Sequence, residues 1–321
     1  MLSITGGSPE MYNPKDIIDA LAANVRKTRS PFGIPKCLDN TWWKKIPLPW
    51  ESDALLFTGL MYQFNPYIEK FTQYLQKYED TKLGASLSRL ARFAPSRLSG
   101  IGLAMMTPGE EKERANKILR DIATILIKSR VDFYYKPDLD DYSGILLYDL
   151  GDQEGFVQHA KYVAGKLKKA GVKKIITVDP HTTYALKVLY PECTGETFDV
   201  KAYFELINLS SENGTGVHIT LHDPCFYGRY LELSDVPRNV LANLGVTVDE
   251  VRNSGTFTSC CGGPAESVSP ALSREVMERR VKELQSTRAP IVAMCPICLG
   301  NLRKSGADVE DLSAVIARSV K

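Results

Sequence analysis

The sequence predicts an α/β protein of two pseudo-repeated α/β units, each with a short parallel sheet and a site at the carboxyl ends of its strands. Three observations support this fold class. A chain of 321 residues is long enough for about two domains. Short apolar runs alternate with stretches of helical periodicity, as in parallel sheets covered by helices. Three loops that follow strands also occur twice in the same order.

The composition is that of an ordinary globular protein. Hydrophobic residues make up 44% and charged residues 24% of the chain, which argues against long disorder. The formal net charge is only +2, so no overall field would hold the chain on nucleic acid or on an anionic membrane. The sequence shows no signal-peptide pattern and no apolar stretch of about 20 residues. We therefore expect a cytoplasmic protein, which partners could hold at the inner face of the membrane.

Residues 1–52 are predicted to form a lead-in of one helix followed by irregular chain. Asn13 can cap a helix that has Pro14 in its first turn and runs towards Lys27. The segment 30–50 is rich in proline and tryptophan, which predicts ordered but irregular structure.

The first α/β unit is predicted over residues 53–212. Its first strand, 54–57, is apolar throughout, as is typical of a strand buried on both faces. Further strands are predicted at 131–135 and 174–178, and the alternation continues at 198–206. The predicted helices cover residues 67–78, 82–93, 107–130 and 154–170. Three acidic residues are predicted to form turns: Asp138, Asp140 and Asp141.

The second unit is predicted over residues 213–321, after a linker at 210–216 that is rich in Asn, Gly and Thr. Two strands are predicted at 217–221 and 290–294. The predicted helices cover 236–244, a long segment that begins at Ser269-Pro270, and 308–318 near the C-terminus.

Five of the seven cysteines lie in this second unit, and we expect each to lie just past the end of a strand. They are Cys225, Cys260, Cys261, Cys295 and Cys298. The carboxyl ends of parallel strands meet at one edge of a sheet, so five thiols can converge on one site. The repeat places other residues at the matching positions of the first unit: Leu60, Tyr142, Ser143, Asp179 and Thr182. The first unit is therefore predicted to hold a degenerate copy of the site.

The cysteine pattern favours a metal or redox site over structural disulfides, which are rare in a reducing cytosol. A zinc ion takes four ligands, and the adjacent pair Cys260-Cys261 suits a multi-iron cluster better than one small tetrahedral ion. Gly262 and Gly263 would let the backbone approach an inorganic core closely. Two alternatives stay open: a zinc site with one spare thiol, and thiol–disulfide exchange at Cys295-Pro-Ile-Cys298 alone.

The motifs around these cysteines resemble the cysteine-rich CCG domain found in the B-type and D-type subunits of heterodisulfide reductase. The resemblance covers residues 53–303 and rests on Cys225, on Cys260-Cys261-Gly262-Gly263 and on Cys295-Pro-Ile-Cys298. It implies that the five cysteines hold one noncubane [4Fe-4S] cluster that works directly on disulfides. One half of the substrate would then bind iron while the other half leaves as a thiol. The B-type subunit has two such clusters, whereas this chain keeps one intact motif.

The resemblance also implies partners. The chain lacks the Cys-x2-Cys-x2-Cys-x3-Cys-Pro motifs that precede the domain in the D-type subunit, so we expect electrons from a separate ferredoxin-like iron–sulfur subunit. A flavin-containing subunit is expected in the same complex. The predicted function is reduction or formation of a disulfide at the single cluster. The alternatives are an electron-transfer subunit between a flavin dehydrogenase and a quinone or ferredoxin pool, and a structural module of a redox assembly.

Two histidines are candidates for roles beside the cluster. His222 lies just before Cys225 in the sequence and could orient a ligand or donate a hydrogen bond to a cluster sulfur. The repeat places His181 opposite the intact site, where it could give a proton to a leaving thiolate, and it is the candidate catalytic residue. Packing without a chemical role is the alternative for both. Cys37 and Cys193 have no cysteine at ligand spacing and are predicted to be packing residues or free thiols.

Overall fold

The computed structural model describes residues 13–78, 96–211 and 215–320. The strands of the first sheet are β1 (Ala54–Phe57), β2 (Phe133–Tyr134), β3 (Lys174–Thr177) and β4 (Asp199–Ala202). The strands of the second sheet are β5 (Val217–His222), β6 (Val246–Val248), β7 (Ile291–Ala293) and β8 (Val309–Asp311).

Thirteen helices surround these sheets in the described part of the chain. They are α1 (Pro14–Thr28), α2 (Lys36–Asp39), α3 (Met61–Tyr78), α4 (Ser96–Met106), α5 (Gly109–Lys128), α6 (Ile145–Asp149), α7 (Gln153–Lys169), α8 (Pro180–Tyr184), α9 (Tyr190–Thr194), α10 (Asp235–Asn243), α11 (Pro270–Leu284), α12 (Pro296–Arg303) and α13 (Leu312–Ser319). None of the described helices is long and apolar enough to cross a membrane.

The two sheets have the same topology, which confirms the predicted α/β class with two α/β units. The strand order is β2-β1-β3-β4 in the first sheet and β6-β5-β7-β8 in the second, and every pairing is parallel. The first strand of each unit therefore has neighbours on both sides. All four residues of β1 are buried, as expected for an apolar strand at the centre of a covered sheet. The unit boundaries after residues 52 and 212 stay predictions.

Most predicted elements occur within a few residues of their predicted bounds. Helix α1 begins as expected, with the Asn13 side chain accepting a hydrogen bond from the Lys15 backbone N–H at 3.1 Å. The Ser269 hydroxyl caps α11 in the same way, because it accepts a hydrogen bond from the backbone N–H of Leu272. Helix α4 and strand β6 were not predicted from the sequence. The helix predicted over 82–93 lies outside the described residues.

The predicted helix over 308–318 is wrong at its start. Residues 309–311 form β8, the edge strand beside β7, and α13 begins only at Leu312. The Asp311 side chain ends the strand and caps the helix, because its carboxylate accepts hydrogen bonds from the backbone N–H and hydroxyl of Ser313. A three-residue strand with a charged centre gives too weak a pattern to be separated from the helix that follows.

Two tyrosines at matching positions of the repeat join the units in a reciprocal way. Tyr62 in α3 donates a hydrogen bond at 2.7 Å to the buried carboxylate of Asp311 in the second unit. Tyr227, just after β5, shares a hydrogen bond of 3.2 Å with Thr183 of the first unit. Helices α13 and α12 also pack on α5 and α3, respectively. The carboxyl ends of the two sheets are thereby brought into direct contact.

Candidate metal centre

Three loops after strands of the second unit carry the five cysteines to one place. Cys225 begins a helical turn directly after β5, and the pair Cys260-Cys261 lies in the loop that leads towards α11. Cys295 occupies the N-cap position of α12 and Cys298 lies in its first turn. Pro296 at the first helical position fixes the backbone between them.

The five thiols form one connected group. Side-chain hydrogen bonds run from Cys260 to Cys261, from Cys261 to Cys298 and from Cys298 to Cys295. Cys225 lies close enough to Cys261 and Cys295 for their charges to act on its thiol. Cys261, Cys295 and Cys298 are buried, whereas Cys225 and Cys260 are partly exposed. The structure thus brings together all five cysteines that the sequence singled out.

The thiols of this group shift one another's pKa values strongly. Burial, together with the charges of neighbouring thiols, raises the pKa of Cys225 to about 12. The hydrogen bond to Cys261 raises the pKa of Cys260 and of Cys298, while the same hydrogen bonds hold the pKa of Cys261 well below its usual value. Five thiolates cannot coexist in this space without positive charge, and metal ligation requires thiolates. The donor set therefore fits a metal centre with several metal ions.

The two glycines after the cysteine pair shape the backbone around the sulfurs. Gly262 has a φ of +86°, and its N–H donates to the Cys260 Sγ at 3.3 Å. The N–H of Gly263 donates to the Cys261 Sγ at 3.4 Å. A Cβ at Gly262 would lie 2.4 Å from the backbone oxygen of Ser273, so only glycine fits. Backbone N–H groups directed at thiolate sulfurs are a feature that suits iron–sulfur clusters.

His222 ends β5 beside the buried thiols. One of its imidazole nitrogens and the sulfurs of Cys261 and Cys298 all lie within 4.8 Å of one another. The Nδ1 atom accepts a hydrogen bond from the Nε of Arg280 at 3.1 Å. Sequence reasoning named His222 but missed Arg280. The available signal was an arginine on the apolar face of α11, in line with Met277, Val281 and Leu284.

His181 approaches the same group from the first unit. Its Nδ1 lies 3.8 Å from the Cys295 Sγ, and its Nε2 lies 3.9 Å from a carboxylate oxygen of Asp149. Burial lowers the pKa of His181, but the hydrogen bond and charge of Cys295, together with the charges of Asp149 and Asp179, raise it to about 9. The Cys295 thiol shows the reciprocal effect: burial raises its pKa, while hydrogen bonds from Cys298 and His181 bring it down to about 7. His181 therefore lies where the repeat predicts, and its catalytic role stays a prediction.

The residues at the matching positions of the first unit are all buried. The Tyr142 hydroxyl accepts a hydrogen bond from the backbone N–H of Leu146, and Asp179 caps α8 by accepting from the N–H of Thr182 at 2.9 Å. The Thr182 hydroxyl donates to Ser143, and a Cβ at Gly59 would lie 2.0 Å from it. Leu60 is buried with a positive φ of 62°. Side chains and their own hydrogen bonds occupy the space that thiols line in the second unit.

Asp140 does more than form the predicted turn. Its buried carboxylate accepts hydrogen bonds from the backbone N–H and the hydroxyl of Thr58, both at 2.7 Å, and from the Tyr135 hydroxyl at 2.8 Å. These hydrogen bonds hold the start of the loop that follows β1 in place. Thr258, the matching residue of the second unit, holds the loop before Cys225 through its hydroxyl, which donates to the Asp223 carbonyl at 2.8 Å.

Exposed aromatic residues lie close in sequence to the two partly exposed cysteines, Cys225 and Cys260. Phe226 packs between Tyr184 and Tyr230, with ring centroids 4.9 and 5.2 Å apart. Tyr230 is 58% exposed, and Phe257, which shortly precedes Cys260, is 82% exposed. We call the rings of Tyr184, Tyr230 and Phe257 the aromatic rim.

The two remaining cysteines lie apart from this site. Cys37 is exposed and Cys193 is half-buried. Neither thiol is among the hydrogen-bond partners of the five grouped cysteines.

Comparison with known proteins agrees with this site. Residues 219–303 match the family model of the cysteine-rich CCG domain. A probable membrane-anchored ferredoxin of Chromohalobacter salexigens is 29% identical over 230 residues, which cover 64% of this chain and 34% of that protein. The EtfAB:quinone oxidoreductase of Syntrophomonas wolfei is 28% identical over 204 residues, covering 58% of this chain and 28% of that protein.

A third relative is the D-type subunit of the dihydromethanophenazine:CoB–CoM heterodisulfide reductase of Methanosarcina mazei. It is 32% identical over 181 residues, covering 50% of this chain and 44% of that protein. These matches confirm the predicted resemblance to the CCG domain and to a heterodisulfide reductase of this type. The chain spans less than half the length of each of these three relatives.

Proposed function

We propose that this chain, whose residues 219–303 match the cysteine-rich CCG domain, is an iron–sulfur oxidoreductase subunit that reduces or forms disulfides at one noncubane [4Fe-4S] cluster. The observation that carries the proposal is the group of five neighbouring thiols, in which the residues Cys225 and Cys260 are partly exposed and the other three are buried. Five thiols exceed the four ligands of a zinc ion and suit a cluster of several irons. The similarity to a heterodisulfide reductase supports the disulfide chemistry.

The five cysteines would have different roles according to how deeply each is buried. Cys261, Cys295 and Cys298 are buried and would hold a cluster on its protein side, where little water could reach it. Cys225 and Cys260 are partly exposed and would be the ligands on the side from which a sulfur of the substrate could approach. The aromatic rim would offer exposed apolar surface on which the carbon skeleton of a thiol compound could pack.

The reaction needs a source of electrons and protons. Reduction of one disulfide takes two electrons and two protons and yields two thiols, and formation of a disulfide runs the same balance in reverse. The cluster, when bound, passes the electrons to or from the sulfur–sulfur bond one at a time. A ferredoxin-like iron–sulfur subunit would exchange them with the cluster, and a flavin-containing subunit would complete the complex. His181, in contact with Cys295, is the candidate group for moving a proton at the buried side.

A second function is favoured by two of the relatives. The names of the probable membrane-anchored ferredoxin and of the EtfAB:quinone oxidoreductase describe electron carriers rather than disulfide reductases. In that case the chain would pass electrons between a flavin dehydrogenase and a quinone or ferredoxin pool, and the aromatic rim would be covered by a partner.

The first experiment measures iron, acid-labile sulfide and zinc in anaerobically purified protein. About four irons and four sulfides per chain, without zinc, are expected. Cys261→Ser and Cys298→Ser should lose most of the iron, whereas the matched control Cys193→Ser should keep it, because Cys193 is not part of the hydrogen-bonded group. About one zinc and no sulfide would refute the cluster and favour a structural site.

The second experiment separates disulfide chemistry from electron relay. The oxidised, iron-loaded protein is titrated with small thiols and followed by electron paramagnetic resonance. A new signal that saturates with thiol would support direct binding of sulfur at the open side. An unchanged spectrum, together with full electron transfer to a quinone by the assembled complex, would overturn the disulfide function and leave the relay.

A further inference from the structure

We infer that His222 is a hydrogen-bond donor to the cluster thiolates and not a metal ligand, and that Arg280 is the positioning residue that enforces this role. The inference rests on the proposed iron–sulfur cluster but not on its disulfide chemistry. It goes beyond the five cysteines, because His222 lies with Cys261 and Cys298 in a group that could also hold a metal ion by itself.

Arg280 decides which nitrogen of His222 carries the proton. The Arg280 side chain is fully buried, and its Nε donates to the Nδ1 of His222 at 3.1 Å. A guanidinium has only donors, so Nδ1 must present its lone pair. Both the doubly protonated imidazole and the Nδ1–H tautomer would direct a second N–H at the guanidinium. The contact is therefore compatible only with a neutral ring that has its proton on Nε2.

The same argument excludes His222 as a ligand. A histidine that binds metal through Nε2 has its remaining proton on Nδ1, which is the position that Arg280 blocks. The Nε2 atom is buried, and one imidazole nitrogen of His222 lies within 4.8 Å of the sulfurs of both Cys261 and Cys298. Because Arg280 occupies Nδ1, Nε2 is the nitrogen that can donate an N–H to these two sulfurs, which would be thiolates when the cluster is bound.

The orientation of Arg280 is itself fixed by its other donors. One terminal nitrogen donates to the Asn253 carbonyl at 2.9 Å and to the Glu283 carboxylate at 2.8 Å. The other lies 3.4 Å from the Thr258 hydroxyl, which holds the loop before Cys225. The carboxylate of Glu283 compensates the buried positive charge. The guanidinium therefore cannot rotate away from His222 without losing several charge-assisted hydrogen bonds.

The consequence is a change in the reduction potential of the cluster. Reduction adds negative charge, and an N–H directed at a thiolate stabilises that charge. His222→Leu should keep its iron and sulfide but shift the midpoint potential downwards, changing the ratio of reduced to oxidised cluster about tenfold, or about 59 mV for one electron. His222→Gln places an amide N–H near the position of Nε2 and should restore most of the potential.

The test combines redox titration by electron paramagnetic resonance with the nitrogen hyperfine coupling of the wild-type protein. Retained iron, a lowered potential in His222→Leu and a weak nitrogen coupling would support the inference. A strong coupling from directly bound nitrogen in the wild type, or loss of iron in His222→Leu, would overturn it, as would an unchanged potential. The wild-type coupling is informative even if the variants do not fold.

A wild-type protein without iron would refute the proposed cluster and the inference together. Iron-loaded protein with no response to thiols would refute only the disulfide function and leave the inference standing.

Discussion

Gly262 offers the sharpest test of the site, because the chain contains two matched controls for its replacement by alanine. Gly262, Gly144 and Gly306 have φ values of +86°, +85° and +84°, so alanine meets the same backbone strain at all three. What differs is the space that a Cβ would enter. At Gly306 no atom lies within 4 Å. At Gly144 the nearest atoms are on the side chains of His159, at 3.0 Å, and Phe156, at 3.3 Å.

At Gly262 the nearest atom is the backbone oxygen of Ser273, at 2.4 Å, and it cannot move without bending the first turn of α11. Left-handed backbone costs alanine about 1 kcal/mol, which is the whole effect expected for Gly306→Ala. Overpacking adds about 1–3 kcal/mol. We therefore expect about 2 kcal/mol for Gly144→Ala, where side chains can give way, and about 3 kcal/mol or more for Gly262→Ala.

The assay is chemical denaturation of the iron-free chains, followed by measurement of iron bound after reconstitution. Gly262→Ala should also bind less iron, because the displaced backbone loses its N–H···S contact with Cys260. Gly144→Ala and Gly306→Ala should bind iron like the wild type. If Gly262→Ala is no less stable than Gly306→Ala and binds iron normally, the close packing of α11 against the cysteine loop is wrong.

Two further substitutions test buried polar groups other than the thiols. Tyr62→Phe removes the hydroxyl that donates to Asp311 and should lower the free energy of unfolding by about 1–3 kcal/mol, whereas exposed Tyr230→Phe should change it little. Equal stability of the two variants would contradict the buried contact between the units. Burial raises the pKa of Asp39 to about 8, so the folded chain holds a proton that the unfolded chain releases above about pH 4. The stability that this proton contributes is complete below about pH 4 and is lost as the pH rises through about 8. Asp39→Asn should remove this loss in denaturation curves from about pH 5 to 9, with exposed Asp138→Asn as control; parallel profiles for Asp39→Asn and wild type would refute it.

The order of elements and the identity of the thiols could be predicted from the sequence, because both depend on local pattern. Apolar runs such as 54–57 and capped helix starts such as Ser269-Pro270 specify their own conformation. The loops that end in Cys225, Cys260-Cys261 and Cys295 follow strands, and parallel strands end at a common edge. The convergence of five cysteines follows from these local facts.

The short edge strands could not be predicted in this way. β8 has three residues, and its conformation depends on pairing with β7. Helix α12 separates the two strands along the chain, so no local sequence pattern indicates this pairing. For Asp140 the sequence predicts only a turn, because its partners Thr58 and Tyr135 are distant in sequence or contact it only when the loop after β1 has folded. Residue propensities describe the local preference of a segment, whereas strand pairing and burial depend on the residues that surround it in the folded protein.

The order of amino acids alone establishes that one unit carries five thiols and that the other does not. The surroundings of those thiols, in contrast, depend on how the two units pack: His181 reaches Cys295 from the other unit, and Arg280 fixes the imidazole of His222. These contacts join residues that are far apart along the chain, and no spacing rule encodes them. A buried donor or acceptor is stable only with a hydrogen-bond partner. The packing of the two units determines which side chains lie within hydrogen-bonding distance.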